Sequence, residues 1–113
     1  MSLAIHTAHY RYAGPDRVDI TVKGKDPEWK VFAPTWKMVM AVKNKGAEAH
    51  QYYLDEYYKI LANVPLDSWN ELLNKKRIVL VCFCRQEEFC HRNILANYII
   101  NRVHSAFFAG FIE

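Results

Sequence analysis

No run of apolar residues in this chain approaches the roughly 20 that a membrane-crossing helix needs. The first residues, with His6, His9 and Arg11 among them, also lack the apolar core of a signal peptide. Both absences argue for a cytoplasmic protein with no membrane partner. Glycine and proline are scarce, four of each in 113 residues, and no repeat, linker or low-complexity tract interrupts the chain. Cysteine is scarcer still. The three cysteines all fall between positions 82 and 90, an odd number that makes a poor disulfide framework and points instead to thiol or metal chemistry in a reducing compartment. The formal charge of +3 is too small to separate a nucleic-acid binder from a mildly basic enzyme with an anionic substrate.

What is abundant is core-forming material. Hydrophobic residues make up 51% of the chain, the composition of a globular protein, and the length suits one domain over residues 1–113. A domain this size leaves roughly a third of its unfolded-chain surface exposed, so a site is either a local cleft or shared with a second copy, and a homodimer is admitted among its partners. Residues 3–10 read as a short strand. Residues 17–24 alternate Val18, Ile20 and Val22 with polar neighbours, the period of a half-buried strand. The prolines of 25–35 mark a loop, with Pro34 suited to the first turn of a helix. Helices follow over 35–45 (Trp36, Val39, Met40, Val42), closed by Gly46, over 47–64 (Tyr53, Leu54, Tyr57, Tyr58, Leu61), and over 65–76, opened by Pro65. Residues 77–83, "RIVLVCF", lack polar interruption and read as the central strand, covered on both faces. A helix over 90–103 and a closing strand over 106–113 complete an α/β order with about four strands, mostly parallel, flanked by helices.

The chemistry concentrates in "FCRQEEFCHR", residues 83–92, where the central strand gives way to a helix. In open α/β sheets ligands bind beyond the carboxyl ends of the strands, where a helix N-terminus offers unpaired N–H groups and partial positive charge. A cysteine there is held toward its thiolate, helped by His91 or Arg92. A phosphatase-type loop, with five residues between cysteine and arginine, does not fit, because seven separate Cys84 from Arg92 and nine separate Cys82 from it. Cys82, Cys84, Cys90 and His91 form a nominal Cys3His set for zinc. Against it, neighbouring residues on a helix point in different directions, so Cys90 and His91 are not expected to converge, and neither a metal nor another cofactor is expected. Each residue also has an ordinary use: Cys82 as core filler, Cys90 as packing or cap, His91 as a hydrogen-bonded side chain. Arg92, in a first helical turn, opposes the helix dipole unless it meets an anion or a carboxylate, Glu87 and Glu88 being the nearest.

The segment "IVLVCFCRQEEFCHRNILANYI" resembles the signature of the family called domain of unknown function four-eight-eight, in which a hydrophobic strand ends in a cysteine and a Cys-His-Arg triplet opens a helix. "IHTAHYRY", "DITVKG" and "FAPTWKMVMAVKNKGAEAHQYYLDEYYKIL" fit the same pattern, so the resemblance covers nearly the whole chain. It implies a small α/β domain, Rossmann-like in outline, without an assigned reaction. It also implies that His6, Thr7, Tyr10 and Arg11 face the same cleft as the triplet. Many members carry a glutamate two positions after the strand-end cysteine; Cys84 stands there in this chain, which argues against a carboxylate-based mechanism.

Three functions are compatible with these residues. In the first, a phosphate-bearing ligand, a nucleotide or nucleic-acid component, is held by Arg11 and Arg92 with Thr7, Tyr10 and Cys84 lining the cleft. Cys90 or His91 then serves as nucleophile or acid/base group, and Cys90, His91 and Arg92 form the catalytic set. The second is a non-catalytic nucleic-acid-binding accessory protein, using Trp29, Trp36 and the tyrosines 52, 53, 57 and 58 among lysines 30, 37, 43, 45 and 59. The third is a structural zinc or thiol-redox protein, which requires Cys82 or Cys84 within reach of Cys90.

Overall fold

The computed structural model describes residues 2–24, 26–83 and 89–113. Four strands, β1 (Leu3–His9), β2 (Arg17–Asp19), β3 (Arg77–Cys82) and β4 (Ala106–Ile112), form one sheet in the order β2-β3-β1-β4. Every pairing is parallel. Helices α1 (Pro27–Lys30), α2 (Trp36–Lys45), α3 (His50–Ala62), α4 (Leu66–Leu73) and α5 (His91–Arg102) flank it, giving the Rossmann-like α/β arrangement expected from the element order. Among the described residues, no helix is long and apolar enough to cross a membrane.

β3 is interior, between β2 and β1, and its residues from Ile78 to Cys82 are all buried. That is why its sequence shows no alternation: the two faces meet different apolar layers. One face joins Leu3, Ile5, Ile78 and Leu80 to the helices in the main core, which contains Tyr53, Tyr57, Leu61, Leu72, Leu95 and Ile99. The other carries a small cluster of Ala8, Val79 and Val81, covered by Tyr10, Tyr12 and Ile112. The connection from β1 to β2 passes β3 in only a few residues because β2 starts early, Arg17 pairing with Val79, itself opposite His6. Asp16 takes a left-handed conformation, φ 64°, tolerated by Asp. It is held by Val79 N–H donating to its carbonyl at 2.8 Å and by an ion pair to Arg77 at 3.0 Å.

The structure shortens or shifts several expected elements. The second strand stops at Asp19 rather than 24, because the Asp19 carboxylate accepts from both Thr21 N–H, at 3.0 Å, and Thr21 Oγ1, at 2.7 Å. Such local bonds pull the backbone off the ladder. The expected loop at 25–35 contains the single helical turn α1, which buries Trp29. Pro34 precedes α2, whose N-cap is Thr35, its hydroxyl accepting from Met38 N–H at 3.2 Å. On α2 the fully buried residue is Met38; of the apolar stripe read from sequence, Val42 packs against the core, while Trp36 is 48% and Met40 44% exposed. On α3, Tyr53, Tyr57 and Leu61 are buried, whereas Tyr58 is exposed.

Tyr57 joins two layers, its hydroxyl donating to the buried Phe32 carbonyl at 2.8 Å. Removing that donor in Tyr57→Phe leaves a buried carbonyl unsatisfied, and urea denaturation followed by circular dichroism is expected to show a loss of about 1–2 kcal/mol.

Candidate functional site

β3 and α5 meet at one end of the sheet, and the reactive residues gather there. Cys82 ends β3, and Cys90 is the N-cap of α5 with φ −154° and ψ 146°. Because Cys90 is extended rather than helical, its side chain is free of the angular separation that successive residues on a helix must have. The sulfurs of Cys90 and Cys82 lie 2.9 Å apart, and His91 Nδ1 lies 3.6 Å from Cys90 Sγ and 3.9 Å from Cys82 Sγ. Cys90 and His91 therefore do converge, correcting the expectation that they diverge. Both cysteines are thiols, and all three residues are buried.

The imidazole is oriented by its other nitrogen. His91 Nε2 lies 2.7 Å from the Ile20 carbonyl oxygen, which can only accept, so Nε2 carries a proton, and in the neutral ring Nδ1 presents its lone pair to the two sulfurs. Tyr57 packs edge-on against the same imidazole, ring centroids 5.8 Å apart. Burial pushes the Tyr57 pKa well above its ordinary value, and the neighbouring Cys90 and Cys82 push it the same way. The phenol is thus a neutral wall behind the thiols.

Cys82, Cys90 and His91 form the floor of a cavity of about 320 Å³. Trp36, Val39, Val42 and Lys43 of α2 make one wall, Thr21, Val22 and Lys23 another, and Tyr53, Phe83 and Phe89 the remainder. The apolar stripe of α2 thus faces the cavity. Phe83 stacks on Tyr10 with centroids 4.1 Å apart, and Phe89 stacks on His50 at 3.9 Å. Lys23 Nζ lies 5.7 Å from the Trp36 ring centroid. A second recess of about 410 Å³, between Thr35 and Pro65, contains Glu56 and Lys59, but those pair with one another at 2.8 Å.

The remaining expected site residues fall elsewhere. Arg92 has no exposed surface. Its guanidinium donates to the carbonyls of Ala8, at 3.3 Å, and Cys82, at 3.4 Å, and lies 5.4 Å from the Phe111 ring centroid. Thr7 is buried in β1. Tyr10 donates to Asp19 Oδ2 at 3.1 Å, and Arg11 is exposed. Of these residues none is among the described ones that line the cavity. His6 Nδ1 lies 3.2 Å from the Gly110 carbonyl, between β1 and β4. Cys84, Glu87 and Glu88 lie outside the described residues. Conversely, Trp36 was expected on the apolar stripe of the helix over 35–45 and, with Lys43, on a base-stacking surface, and Lys23, Phe83 and Phe89 carried no site expectation; the i, i+3, i+7 spacing of Trp36, Val39 and Lys43 was the available signal.

Fold and floor together define an α/β protein with a thiol–imidazole site at a strand-to-helix junction. A family model described as the active DUF488-N3 subclade matches residues 2–103, and the chain belongs to that family. No curated protein and no solved structure matches it.

Because Arg92 ties the ends of β1 and β3 from a fully buried position, Arg92→Ala is expected to lower the unfolding free energy by about 3 kcal/mol. Arg11→Ala, at an exposed position, should stay within about 0.5 kcal/mol. Urea midpoints of the two variants check the contrast.

Proposed function

We propose that the chain is an enzyme acting on a small phosphate-bearing molecule with a flat ring, of the nucleotide or nucleic-acid-component class, at the Cys90–His91 floor. One observation carries the reading: two lysines and several aromatic walls rise over two thiols and an imidazole in the same cavity. Lys23 and Lys43 supply charge for a phosphate, and Trp36, Phe83 and Phe89 supply faces on which a base can stack. A neutral His91 with Nδ1 turned to the sulfurs takes a thiol proton, so the floor delivers thiolate, the reactive form. The N-terminus of α5 favours that negative charge. Arg92 acts as a positioning residue: by holding the Cys82 carbonyl it sets where β3 ends and hence where the Cys82 sulfur sits. Thiols in this role suit a reducing, cytoplasmic compartment.

The accessory-protein reading is weaker, because Tyr53 and Tyr57 are core residues and do not form a base-stacking platform.

Isothermal calorimetry with nucleoside monophosphates and the matching nucleosides tests the proposal. Lys43→Ala should weaken the monophosphate about tenfold and leave the nucleoside unchanged. Trp36→Ala should weaken both by about five- to tenfold. Unaltered affinity in both variants, or no binding by the unmutated chain, overturns it.

A further inference from the structure

We propose that Cys82 Sγ, Cys90 Sγ and His91 Nδ1 hold a soft divalent metal ion, zinc in the first instance, at the floor of the cavity. The three donor atoms lie within 4.8 Å of one another, and all three residues are buried. With zinc–sulfur bonds of about 2.3 Å and zinc–nitrogen bonds of about 2.0–2.1 Å, a tetrahedral site has sulfur–nitrogen edges of about 3.6 Å and a sulfur–sulfur edge of about 3.8 Å. The observed sulfur–nitrogen separations, 3.6 and 3.9 Å, match. The sulfurs, at 2.9 Å, open by about 1 Å to receive the ion.

The surroundings fit a metal as well as the donors do. A ligating histidine characteristically donates its other ring N–H to a carbonyl or carboxylate, which fixes the tautomer and aims the lone pair; Ile20 provides that carbonyl at 2.7 Å. The donors sit on rigid ground, one at a strand end held by Arg92 and two at the start of α5. Two thiolates and one imidazole are soft to borderline donors, which select zinc over magnesium, calcium or manganese. Their two negative charges balance the ion, and the two thiol protons leave to solvent as it binds. All three residues line the cavity, so the ion sits at its floor. The inference rests on the proposed function only for what occupies the cavity; the metal site follows from the donor geometry, and a bound ion replaces the thiol-to-imidazole proton transfer proposed above, because it takes up His91 Nδ1 and both thiolates.

Reduced protein is loaded with excess Zn²⁺, desalted and assayed by plasma mass spectrometry. About one zinc per chain is expected, with next to none in the Cys82→Ser/Cys90→Ser double variant and affinity at least about tenfold weaker in His91→Ala. Co²⁺ substitution of the unmutated chain should give visible bands of a tetrahedral ion together with sulfur-to-cobalt charge transfer, and this readout decides the matter if the variants fail to fold. Retention of well under half an equivalent by the folded, reduced chain overturns the proposal. So does undiminished retention by the folded double variant, or an intact mass two hydrogens lighter that persists under reductant and marks a disulfide in place of the site. Nucleoside monophosphate calorimetry on the stripped and loaded protein separates the two ideas. Binding without metal uptake leaves the cavity reading standing and removes the metal, whereas metal uptake without nucleotide binding does the reverse.

Discussion

A charged guanidinium sealed from solvent at the carboxyl end of the sheet organises this molecule. Leaving water costs such a group several kcal/mol unless its hydrogens find acceptors, and Arg92 finds the carbonyls of Ala8 and Cys82, where β1 and β3 stop pairing. The Cys82 carbonyl also accepts from Tyr10 N–H at 2.7 Å, so the guanidinium adds to a ladder bond there. The charge thus ties α5, which carries Arg92 in its first turn, to the ends of β1 and β3. The sulfur of Cys82 and the N-cap sulfur of Cys90 are brought together by the same docking.

His91 works in parallel on the opposite flank. Its bond to Ile20 ties α5 to the segment that leaves β2, a segment bent off the sheet by the Asp19 carboxylate. That bend carries Thr21, Val22 and Lys23 to the cavity wall. A three-residue strand is therefore not a defective version of the longer one expected from alternation. Its early end creates both the acceptor that orients the imidazole and one side of the enclosure above it.

The stripe on α2 teaches the same lesson in another form. Trp36, Val39 and Val42 recur at helical spacing, and spacing alone sends them to the core. Met38 takes the fully buried place, Val42 packs against the core, and all three stripe residues border the cavity. Apolar periodicity reports that a face is turned away from bulk water. It does not distinguish a packed interior from a concave surface, because both remove the same kind of area.

Several features were legible from the chain by itself because they depend on local rules. The uninterrupted apolar run of β3, the α/β alternation and the Cys-His-Arg triplet that marks the family all follow from residue type and near-neighbour spacing. The gathering of reactive groups at 82–92 was legible too, since a strand-to-helix junction has a known polarity. What Arg92 touches across the sheet was not: the Ala8 carbonyl lies 84 positions away in sequence, and only the docking of α5 brings it near, while the carboxylates expected nearby, Glu87 and Glu88, lie outside the described residues. The convergence of Cys90 with His91 was hidden for a related reason. Whether a residue is the last extended one or the first helical one shifts its side chain by roughly a quarter-turn, and that boundary is settled by how the helix packs against the sheet, not by the residues on either side of it.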